Sequence, residues 1–317
     1  MDEDSNTVIA ARGLTRRFGA FVAVSDVDLG VLRGEVFGLL GANGAGKTTV
    51  IRMLCGTLAP SRGEIRVAGI DMVRSARGAR GRIGYVTQRF ALYGDLTVLE
   101  NLKLQAGLYN LRGERCQRRL DWALDHLDLK GEQHMRAGEL PLGFQRKLAV
   151  AAALLHEPDV LFLDEPTSGI DPLARQQFWE LVYELAESGI GVLVTTHYMD
   201  EALFCDRLAF MDAGRIVVEG APEDLLARHL ATPILDVRTS AGGDCIRWLA
   251  KWSEIREIIP HAGRLRVRLH ASVAVDEFIG RIREDASHRG LPIEAVEVAA
   301  PGLEDVFVAM LEQQAVA

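Results

Sequence analysis

Long apolar runs are missing from this sequence. The longest that we find, Leu148 to Leu155, covers eight residues, whereas a helix needs about 20 to cross a bilayer. The first residues, Met1 to Thr7, are acidic and polar and lack the apolar centre of a signal peptide. We therefore expect the chain to stay in the cytosol unless a partner holds it at a membrane.

Basic charge is also in short supply. The 36 lysines and arginines are outnumbered by 44 aspartates and glutamates, which leaves a formal net charge of -8. Proteins that bind nucleic acids usually carry a basic surface that neutralises phosphates. The charge balance therefore argues against a nucleic-acid partner.

Cysteine is sparse and scattered, and no two cysteines have the short spacing of metal ligands. We expect reduced thiols, some of them buried as small apolar side chains. The four residues are Cys55, Cys116, Cys205 and Cys245.

The apolar residues that are present predict an α/β domain over residues 7–222. Short apolar runs alternate with helical patterns, which favours a largely parallel sheet. These runs are Glu35–Leu40, Ile83–Thr87, Val160–Leu163, Gly191–Thr195 and Arg207–Met211. Other segments are expected to pair antiparallel, the first three in a side sheet and the last in a hairpin. They are Val8–Phe18, Ala23–Leu32, Glu64–Val67 and Arg215–Glu219.

Residues 95–139 differ from their surroundings because they carry charge at helical spacing and no good strand. Thr97 and Glu100 have the spacing of a capping box at the start of a helix. An apolar stripe follows on one helical face, formed by Val98, Leu99, Leu102 and Ala106. This segment predicts a small helical insert.

The pattern changes again after Pro222. A helix over residues 222–230 leads to Ala231-Thr232-Pro233, which we take as a domain boundary. Residues 233–317 then show strands and helices in the order βαββαβ plus a last helix, with Ala262-Gly263 turning the middle hairpin. This order predicts a small α+β domain of the ferredoxin-like class.

One segment has the pattern of a phosphate-binding loop. Residues 41–48 fit G-x-x-x-x-G-K-[ST] and lie between an apolar strand and a helical segment. In such a loop, backbone N–H groups surround the β-phosphate, Lys47 reaches the β- and γ-phosphates, and Thr48 offers a hydroxyl to Mg²⁺. A Gly-rich turn with a chance lysine is the alternative, and the flanking strand and helix argue against it. The candidate nucleotide-binding residues are Gly41, Asn43, Gly44, Ala45, Gly46, Lys47, Thr48 and Thr49.

Two carboxylates end the apolar strand over residues 160–163. Asp164 is a candidate to hold Mg²⁺ through water. Glu165 would point to the other side of the strand end and is the candidate to polarise an attacking water. An apolar strand that ends in two acids is commonly a surface feature, and the phosphate loop is what gives this pair its significance.

The ordered motifs resemble those of the ATP-binding cassette (ABC) ATPases over residues 7–222. Residues 163–172 resemble the family's acidic strand and D-loop, and residues 195–197 its switch-histidine segment. Gln88 resembles the Q-loop glutamine, and Phe18 takes the place of the aromatic residue that stacks on adenine. The resemblance implies an ABC nucleotide-binding domain, with a parallel core, an antiparallel subdomain and a helical insert, that binds ATP and Mg²⁺.

Roles for individual residues follow from this resemblance. Glu165, His197 and Gln88 would be catalytic, and Asp171 would lie at the contact between two copies. Taken singly, Phe18 could be a core residue, His197 a strand-end histidine and Gln88 a loop residue, but their order around the phosphate loop argues otherwise. The implied metal-binding residues are Thr48, Gln88 and Asp164.

The sequence departs from the family at its signature, Leu-Ser-Gly-Gly-Gln. Residues 140–144 read Leu-Pro-Leu-Gly-Phe, so Pro141 replaces the serine and Phe144 the glutamine, whereas Gly143 is retained. A helix N-terminus still offers N–H groups and its dipole to phosphate. We therefore expect an altered contact with ATP across a dimer, and the alternative is a degenerate site with feeble hydrolysis.

Residues 88–98 and 301–307 also resemble the ATPases of type-2 ABC exporters. This resemblance implies a homodimer on the cytoplasmic face of the plasma membrane that drives separate permease chains docked near residues 90–93 and the insert. A periplasmic adaptor is a further candidate partner. The expected function is efflux of drugs or other hydrophobic substrates, and export of ions, polysaccharides or lipids stays open.

Two other classes of function fit the sequence less well. A soluble ABC ATPase without a membrane partner typically has tandem cassettes or long coiled coils, and this chain has one cassette and no heptad tract. A small-molecule kinase with a phosphate loop would not explain the segments around Gly143, Asp171 and His197 in cassette order.

Overall fold

The computed structural model describes residues 6–229, 233–261, 263–270, 272–300 and 302–316. Some residues used above for the domain boundary, the hairpin turn and the tail lie outside these ranges, namely Ala231, Thr232, Ala262 and Pro301. The chain divides into two compact units, residues 1–222 and 223–317. Each unit has its own apolar core.

An antiparallel sheet forms one layer of the first unit. Its strands are β1 (Thr7–Phe18), β2 (Phe21–Leu32), β4 (Arg62–Val67) and β5 (Ile70–Asp71), in the order β2-β1-β4-β5. The predicted side sheet is thereby confirmed. Strand β5 was not predicted, because two residues are too few to show a period.

The central sheet of the first unit has six strands. They are β3 (Val36–Leu40), β6 (Ile83–Val86), β7 (Val160–Asp164), β8 (Gly191–Thr196), β9 (Arg207–Asp212) and β10 (Arg215–Gly220), in the order β10-β9-β3-β8-β7-β6. All neighbours pair in parallel except β9 and β10, which form the predicted hairpin. Because β3, β8, β7 and β6 run in one direction, their carboxyl ends meet at the same edge of the sheet.

In the described part of this unit, six α-helices complete the fold. They are α1 (Lys47–Leu54), α2 (Met72–Ala79), α3 (Val98–Leu108), α4 (Gly113–His126), α5 (Leu142–Leu154) and α6 (Pro172–Glu187). The predicted insert contains α3 and α4, and its capping box is confirmed. Glu100 N–H donates to Thr97 Oγ1 at 3.2 Å, and Thr97 N–H donates to Glu100 Oε2 at 2.8 Å. Buried residues of the insert and of α5 share one apolar cluster with the central sheet.

The second unit is built on a four-stranded antiparallel sheet. Its strands are β11 (Ile234–Thr239), β12 (Ile255–His261), β13 (Arg264–Leu269) and β14 (Ile293–Ala299), in the order β12-β13-β11-β14. The helices are α7 (Pro222–His229), α8 (Gly242–Leu249), α9 (Val275–His288) and α10 (Leu303–Val316). Strands and helices follow the predicted βαββαβ order, and the sheet order is that of a ferredoxin-like domain.

A buried ion cluster ties α10 to the sheet of the second unit. Asp305, on the first turn of α10, accepts from Arg268 Nη2 at 2.9 Å, from Arg266 Nη2 at 2.9 Å and from Gly302 N–H at 2.7 Å. Arg268 and Asp305 are both buried. A buried pair of this kind is costly to break because it leaves one charge without a partner.

None of the helices in the described ranges combines the length and the apolar character that a bilayer crossing requires.

The first unit should fold without the second. Among the described residues, the buried members of its apolar clusters lie between Val8 and Met211, and those of the second unit form a cluster between Leu235 and Val296. We expect a chain that ends at residue 232 to remain folded and to bind ATP. Circular dichroism and equilibrium titration with a fluorescent ATP analogue test this. An insoluble or non-binding product would show that the cut is misplaced.

His156 should make the stability of the first unit depend on pH. Its ring stacks on Tyr109 at 3.7 Å between ring centroids, and Nε2 donates to Ile83 O at 3.0 Å. Within the described residues, the buried Nδ1 has no hydrogen-bond partner. Burial lowers the pKa of His156, and nearby Arg119 lowers it further, while the bond to Ile83 acts in the opposite direction.

The lowered pKa of His156 makes the folded state less stable as the pH falls. A histidine that is kept neutral by the fold stabilises it fully above its ordinary pKa of about 6.5, and this stability is lost as the pH falls below that value. We expect the melting temperature of the parent to drop more steeply below about pH 6.5 than that of His156→Gln, which can still donate to Ile83 O. Calorimetry across pH 5 to 8 measures both, and parallel profiles would contradict the assignment.

Candidate nucleotide-binding site

The loop between β3 and α1 has a backbone that only glycine permits at two positions. Gly41 has φ 148°, and a Cβ there would lie 2.1 Å from Met211 O. Gly46, the N-cap of α1, has φ 110°, and a Cβ there would lie 2.7 Å from Ala23 O. The loop therefore approaches β9 and β2 closely and turns straight into a helix, so that the N-terminus of α1 faces the loop interior.

Lys47 is held inside this loop. Its Nζ donates to Gly41 O at 2.7 Å and to Ala42 O at 3.2 Å, and it lies 4.0 Å from Glu165 Oε1. Only 4% of the residue is exposed. Burial lowers the pKa of Lys47, and the carboxylates of Glu165 and Asp164 act in the opposite direction.

Asp164 ends β7 beside the first turn of α1. Its Oδ1 accepts from Thr48 Oγ1 at 3.2 Å and from Thr195 Oγ1 at 2.8 Å. The carboxylate is buried. A hydroxyl and a carboxylate oxygen this close together form a hard oxygen donor set, which suits Mg²⁺ because that ion usually takes one or two protein oxygens plus phosphates and water. Among the described residues, no cluster of three or more acidic, histidine or cysteine ligands occurs.

Glu165 projects from an unusual backbone. Its φ is 48°, a left-handed conformation that few residues other than glycine adopt. The carboxylate accepts from Gln88 Nε2 at 2.8 Å, and its Oε2 lies 3.4 Å from Nδ1 of His197 without a hydrogen bond. The structure thus brings together Lys47, Gln88, Glu165 and His197, which the sequence separates by up to 150 positions.

A buried carboxylate supports the turn that carries His197. Thr196 Oγ1 donates to Glu201 Oε2 at 2.7 Å and accepts from Tyr198 N–H at 3.0 Å. Glu201 is completely buried. This pair holds the chain directly after β8, so the position of His197 is set by the sheet edge and by the short helical turn at residues 201–204.

Gln88 is connected to the helix that follows the signature segment. Arg146, in α5, donates from Nη1 to the carbonyl of Thr87 at 3.3 Å. Arg146 is buried, and burial lowers its pKa. The Arg146 guanidinium thus links α5 to the segment that carries Gln88.

Helix α5 begins at Leu142 with Pro141 as its N-cap, so the predicted helix start within the signature segment is confirmed. A Cβ added at Gly143 would lie 3.4 Å from Ala174 Cβ, an ordinary contact. Within one chain, position 143 therefore has room for a small side chain.

Three predicted site residues lie apart from this cluster. Phe18 ends β1 with 46% of its surface exposed and with the Arg16 guanidinium 4.6 Å from its ring centroid, which excludes the core alternative. Asp171 caps α6 by accepting from Leu173 N–H and Ala174 N–H at 3.1 and 3.0 Å. The hydrogen bonds described for the chain do not connect Phe18, Gly143 or Asp171 to Glu165.

Sequence reasoning missed several residues that support the site. No role at the site was predicted for Thr195, Arg146 or Glu201, although Thr195 belongs to the histidine segment at residues 195–197. The signal that could have found Arg146 and Glu201 is weak, since both read as ordinary helical surface residues. Only the packed structure shows that they are buried.

The sequence is similar to that of one protein family. The family described as ABC transporter matches residues 24–168. The chain is 48% identical over 222 residues to the probable multidrug ABC transporter ATP-binding protein YbhF of Escherichia coli (strain K12), a match that covers 70% of this chain and 38% of YbhF. This chain therefore spans well under half the length of that relative.

A second relative is similar over nearly its whole length. The daunorubicin resistance ATP-binding protein DrrA3 of Streptomyces coeruleorubidus is 36% identical over 307 residues, which are 96% of each chain. Among solved structures, the dimeric ATP-binding cassette MJ0796 bound to ADP and Pi superimposes with a TM-score of 0.61 and 26% identity, covering 67% of this chain and 98% of that one. From its phosphate loop, its acidic strand end and these relatives, the chain belongs to the ATP-binding proteins of the ABC transporter family.

Proposed function

We propose that this chain is the ATP-hydrolysing subunit of an ABC exporter. The observation that carries the proposal is the cluster at the carboxyl edge of the central sheet. There Lys47 lies beside Glu165, and Glu165 contacts Gln88 and lies next to His197. A phosphate-binding lysine and a carboxylate that could act as a base are thereby held within one small site.

The phosphates of ATP would bind at the N-terminus of α1. Incoming phosphate oxygens would replace the loop carbonyls and Glu165 as partners of the Lys47 ammonium. Because Lys47 is buried, its charge is poorly screened and would act strongly on the β- and γ-phosphates. Thr48 and Asp164 would hold Mg²⁺, which when bound neutralises phosphate charge.

Glu165 would act as the general base. Its carboxylate already accepts from Gln88, so the amide can orient both the carboxylate and a water beside it. His197 Nδ1 lies 3.4 Å from the same carboxylate oxygen, Oε2, and the imidazole would donate to the γ-phosphate. Phe18, exposed at the end of β1, would stack on adenine.

Two copies would complete each site. The N-terminus of α5, with Gly143 on its first turn, would face the γ-phosphate held by the other copy. Leu142 and Leu173 are exposed near this surface, at 40% and 66%. The dimeric form of MJ0796, a cassette of the same fold, supports this arrangement, in which Asp171 would lie at the contact between the copies.

Separate permease chains would be the membrane partners. A cavity of about 290 Å³ lies where the helical insert meets the segment after Gln88, and residues 91–92 line it together with Tyr85, Gln105 and Tyr109. This cavity supports docking near residues 90–93. The contact with the permease would lie on the cytoplasmic face of the plasma membrane. A periplasmic adaptor would be a further component.

The transported substrate would be a drug or another hydrophobic molecule. The names of two relatives support this choice, since YbhF is called a probable multidrug transporter protein and DrrA3 a daunorubicin resistance protein. Substrate contacts would lie in the permease. Drug-accumulation assays in cells that lack this chain test the proposal.

Glu165→Gln should abolish turnover and retain ATP binding. The change removes the base while keeping the size of the side chain, and a positioned base contributes about 10²- to 10⁴-fold. ATP hydrolysis and gel filtration with ATP measure turnover and the expected trapped dimer. Glu187→Gln, at an exposed glutamate at the end of α6, is the matched control. Near-normal turnover in Glu165→Gln would remove Glu165 from this role.

Lys47→Ala should weaken ATP binding by at least about tenfold, because hydrogen bonds to a charged group contribute about 1.5–3 kcal/mol. Fluorescence titration with an ATP analogue measures the affinity. Lys103→Ala, at an exposed lysine of α3, should bind like the parent. Unchanged affinity in Lys47→Ala would mean that nucleotide binds elsewhere.

Gly143→Asp should reduce turnover far more than Pro141→Ser raises it. An aspartate at position 143 would place negative charge against the γ-phosphate of the other copy, whereas the serine would add one hydrogen bond worth about 0.5–1.5 kcal/mol. Because position 143 has room within one chain, the melting temperature should change little. Gly280→Asp, at an exposed glycine of α9 with open space around it, is the control.

Turnover of these variants is best measured in the complete transporter, since an isolated subunit can dimerise poorly. If Gly143→Asp hydrolyses ATP like the parent, residues 140–144 do not contact phosphate. The site would then need a different partner subunit.

A further inference from the structure

Thr195 lies directly opposite Asp164 in the parallel pairing of β8 and β7. Its side chain is completely buried. The hydroxyl Oγ1 is 2.8 Å from Asp164 Oδ1 and 3.1 Å from the backbone nitrogen of Glu165. One hydroxyl therefore contacts both of the acidic residues that end β7.

The direction of both hydrogen bonds is set by chemistry. An amide N–H can only donate, so Thr195 Oγ1 accepts from Glu165. A hydroxyl has one proton, and an ionised carboxylate can only accept, so this proton goes to Asp164. The hydroxyl is thus oriented by both neighbours, and a buried group that is fully paired in this way holds a single arrangement.

The backbone of Glu165 needs this support. Its φ of 48° lies in the left-handed region, which is unfavourable for residues other than glycine. The Glu165 N–H also reaches the carbonyl of Thr195 at 3.1 Å. The Glu165 N–H therefore donates to both the hydroxyl and the carbonyl of Thr195. The left-handed backbone directs the Glu165 side chain toward Gln88 and Lys47.

The neighbouring threonine does not share this arrangement. Thr196 Oγ1 donates to Glu201 and supports the turn that carries His197. The two threonines therefore serve different groups, since successive side chains of a strand point to opposite sides.

We propose that Thr195 is a positioning residue that fixes the Asp164 carboxylate and the Glu165 backbone relative to each other through one shared hydroxyl. The inference rests on the proposed function, because Asp164 and Glu165 are the metal-binding and base residues of that reaction. Without the hydroxyl, Asp164 would keep Thr48 as a donor to Oδ1 and Tyr85 OH at 3.5 Å from Oδ2. The Glu165 N–H would lose one of its two acceptors.

Two substitutions separate this role from packing. Thr195→Val keeps the shape of the side chain and removes the hydroxyl, while the carbonyl of Thr195 still accepts from Glu165 N–H. Thr195→Ser keeps the hydroxyl and loses a methyl group. Thr239→Val is the control, because Thr239 is also buried and its hydroxyl donates to Pro292 O at 2.8 Å in the second unit.

The experiment measures kcat and KM for ATP hydrolysis, the Mg²⁺ concentration for half-maximal rate, ATP-analogue affinity in EDTA and the melting temperature of the full chain. We expect Thr195→Val to lower kcat by about 10- to 100-fold and to raise the Mg²⁺ requirement, as loss of an outer partner of a metal ligand does. KM and affinity in EDTA should stay near the parent values. Thr195→Ser should recover most of kcat, and Thr239→Val should hydrolyse like the parent.

Two results would overturn the inference. One is a Thr195→Val enzyme with kcat within about twofold of the parent and the same Mg²⁺ requirement. The other is a loss of kcat that follows melting temperature alone and is equal in Thr195→Ser. Glu165→Gln, assayed alongside, distinguishes the two proposals. If Glu165→Gln hydrolyses ATP like the parent, the proposed function is wrong. If Glu165→Gln is inactive and Thr195→Val is unaffected, only the role of Thr195 is wrong.

Discussion

Parallel pairing of β3, β8 and β7 is the constraint on which the candidate site depends. It places the ends of three strands at one edge, so that the loop after β3 faces the acids after β7 with β8 between them. Strand β8 also contributes hydrogen bonds to the site. Its last residues bond to Asp164 and Glu165 on one side and hold the turn of His197 on the other. A change in strand order would separate the lysine from its carboxylates even if every motif were retained.

Burial gives these charges their effect. Lys47, Asp164 and Glu165 are all less than a tenth exposed. Charges in such surroundings interact strongly, and each is costly without a partner. In this structure the lysine is satisfied by loop carbonyls and by a carboxylate, groups that phosphate oxygens can replace one for one. The oxygen atoms that contact Lys47 in this structure thus occupy the positions that phosphate oxygens of the proposed substrate would take.

The altered signature is best understood together with Arg146. The helix that begins at Leu142 carries Gly143 on its first turn and Arg146 one turn further, and Arg146 bonds to the carbonyl before Gln88. In the proposed dimer, movement of α5 toward the nucleotide of the other copy would therefore shift Gln88, and with it the hydrogen bond from Gln88 to Glu165. A serine hydroxyl is not required for this connection, which is consistent with Pro141 at the N-cap.

The sequence by itself determined the local features. The glycines of the phosphate loop, the capping box at Thr97 and the strand and helix order of the second unit depend on sterics and hydrogen bonds between near neighbours, so short patterns were sufficient to predict them. Only the tertiary structure decided the left-handed backbone of Glu165, the shared hydroxyl of Thr195, the ion cluster around Asp305 and the burial of Arg146. These depend on groups 30 to 59 positions apart along the chain, and no local pattern records which distant atoms a fold will bring within hydrogen-bond distance of one another.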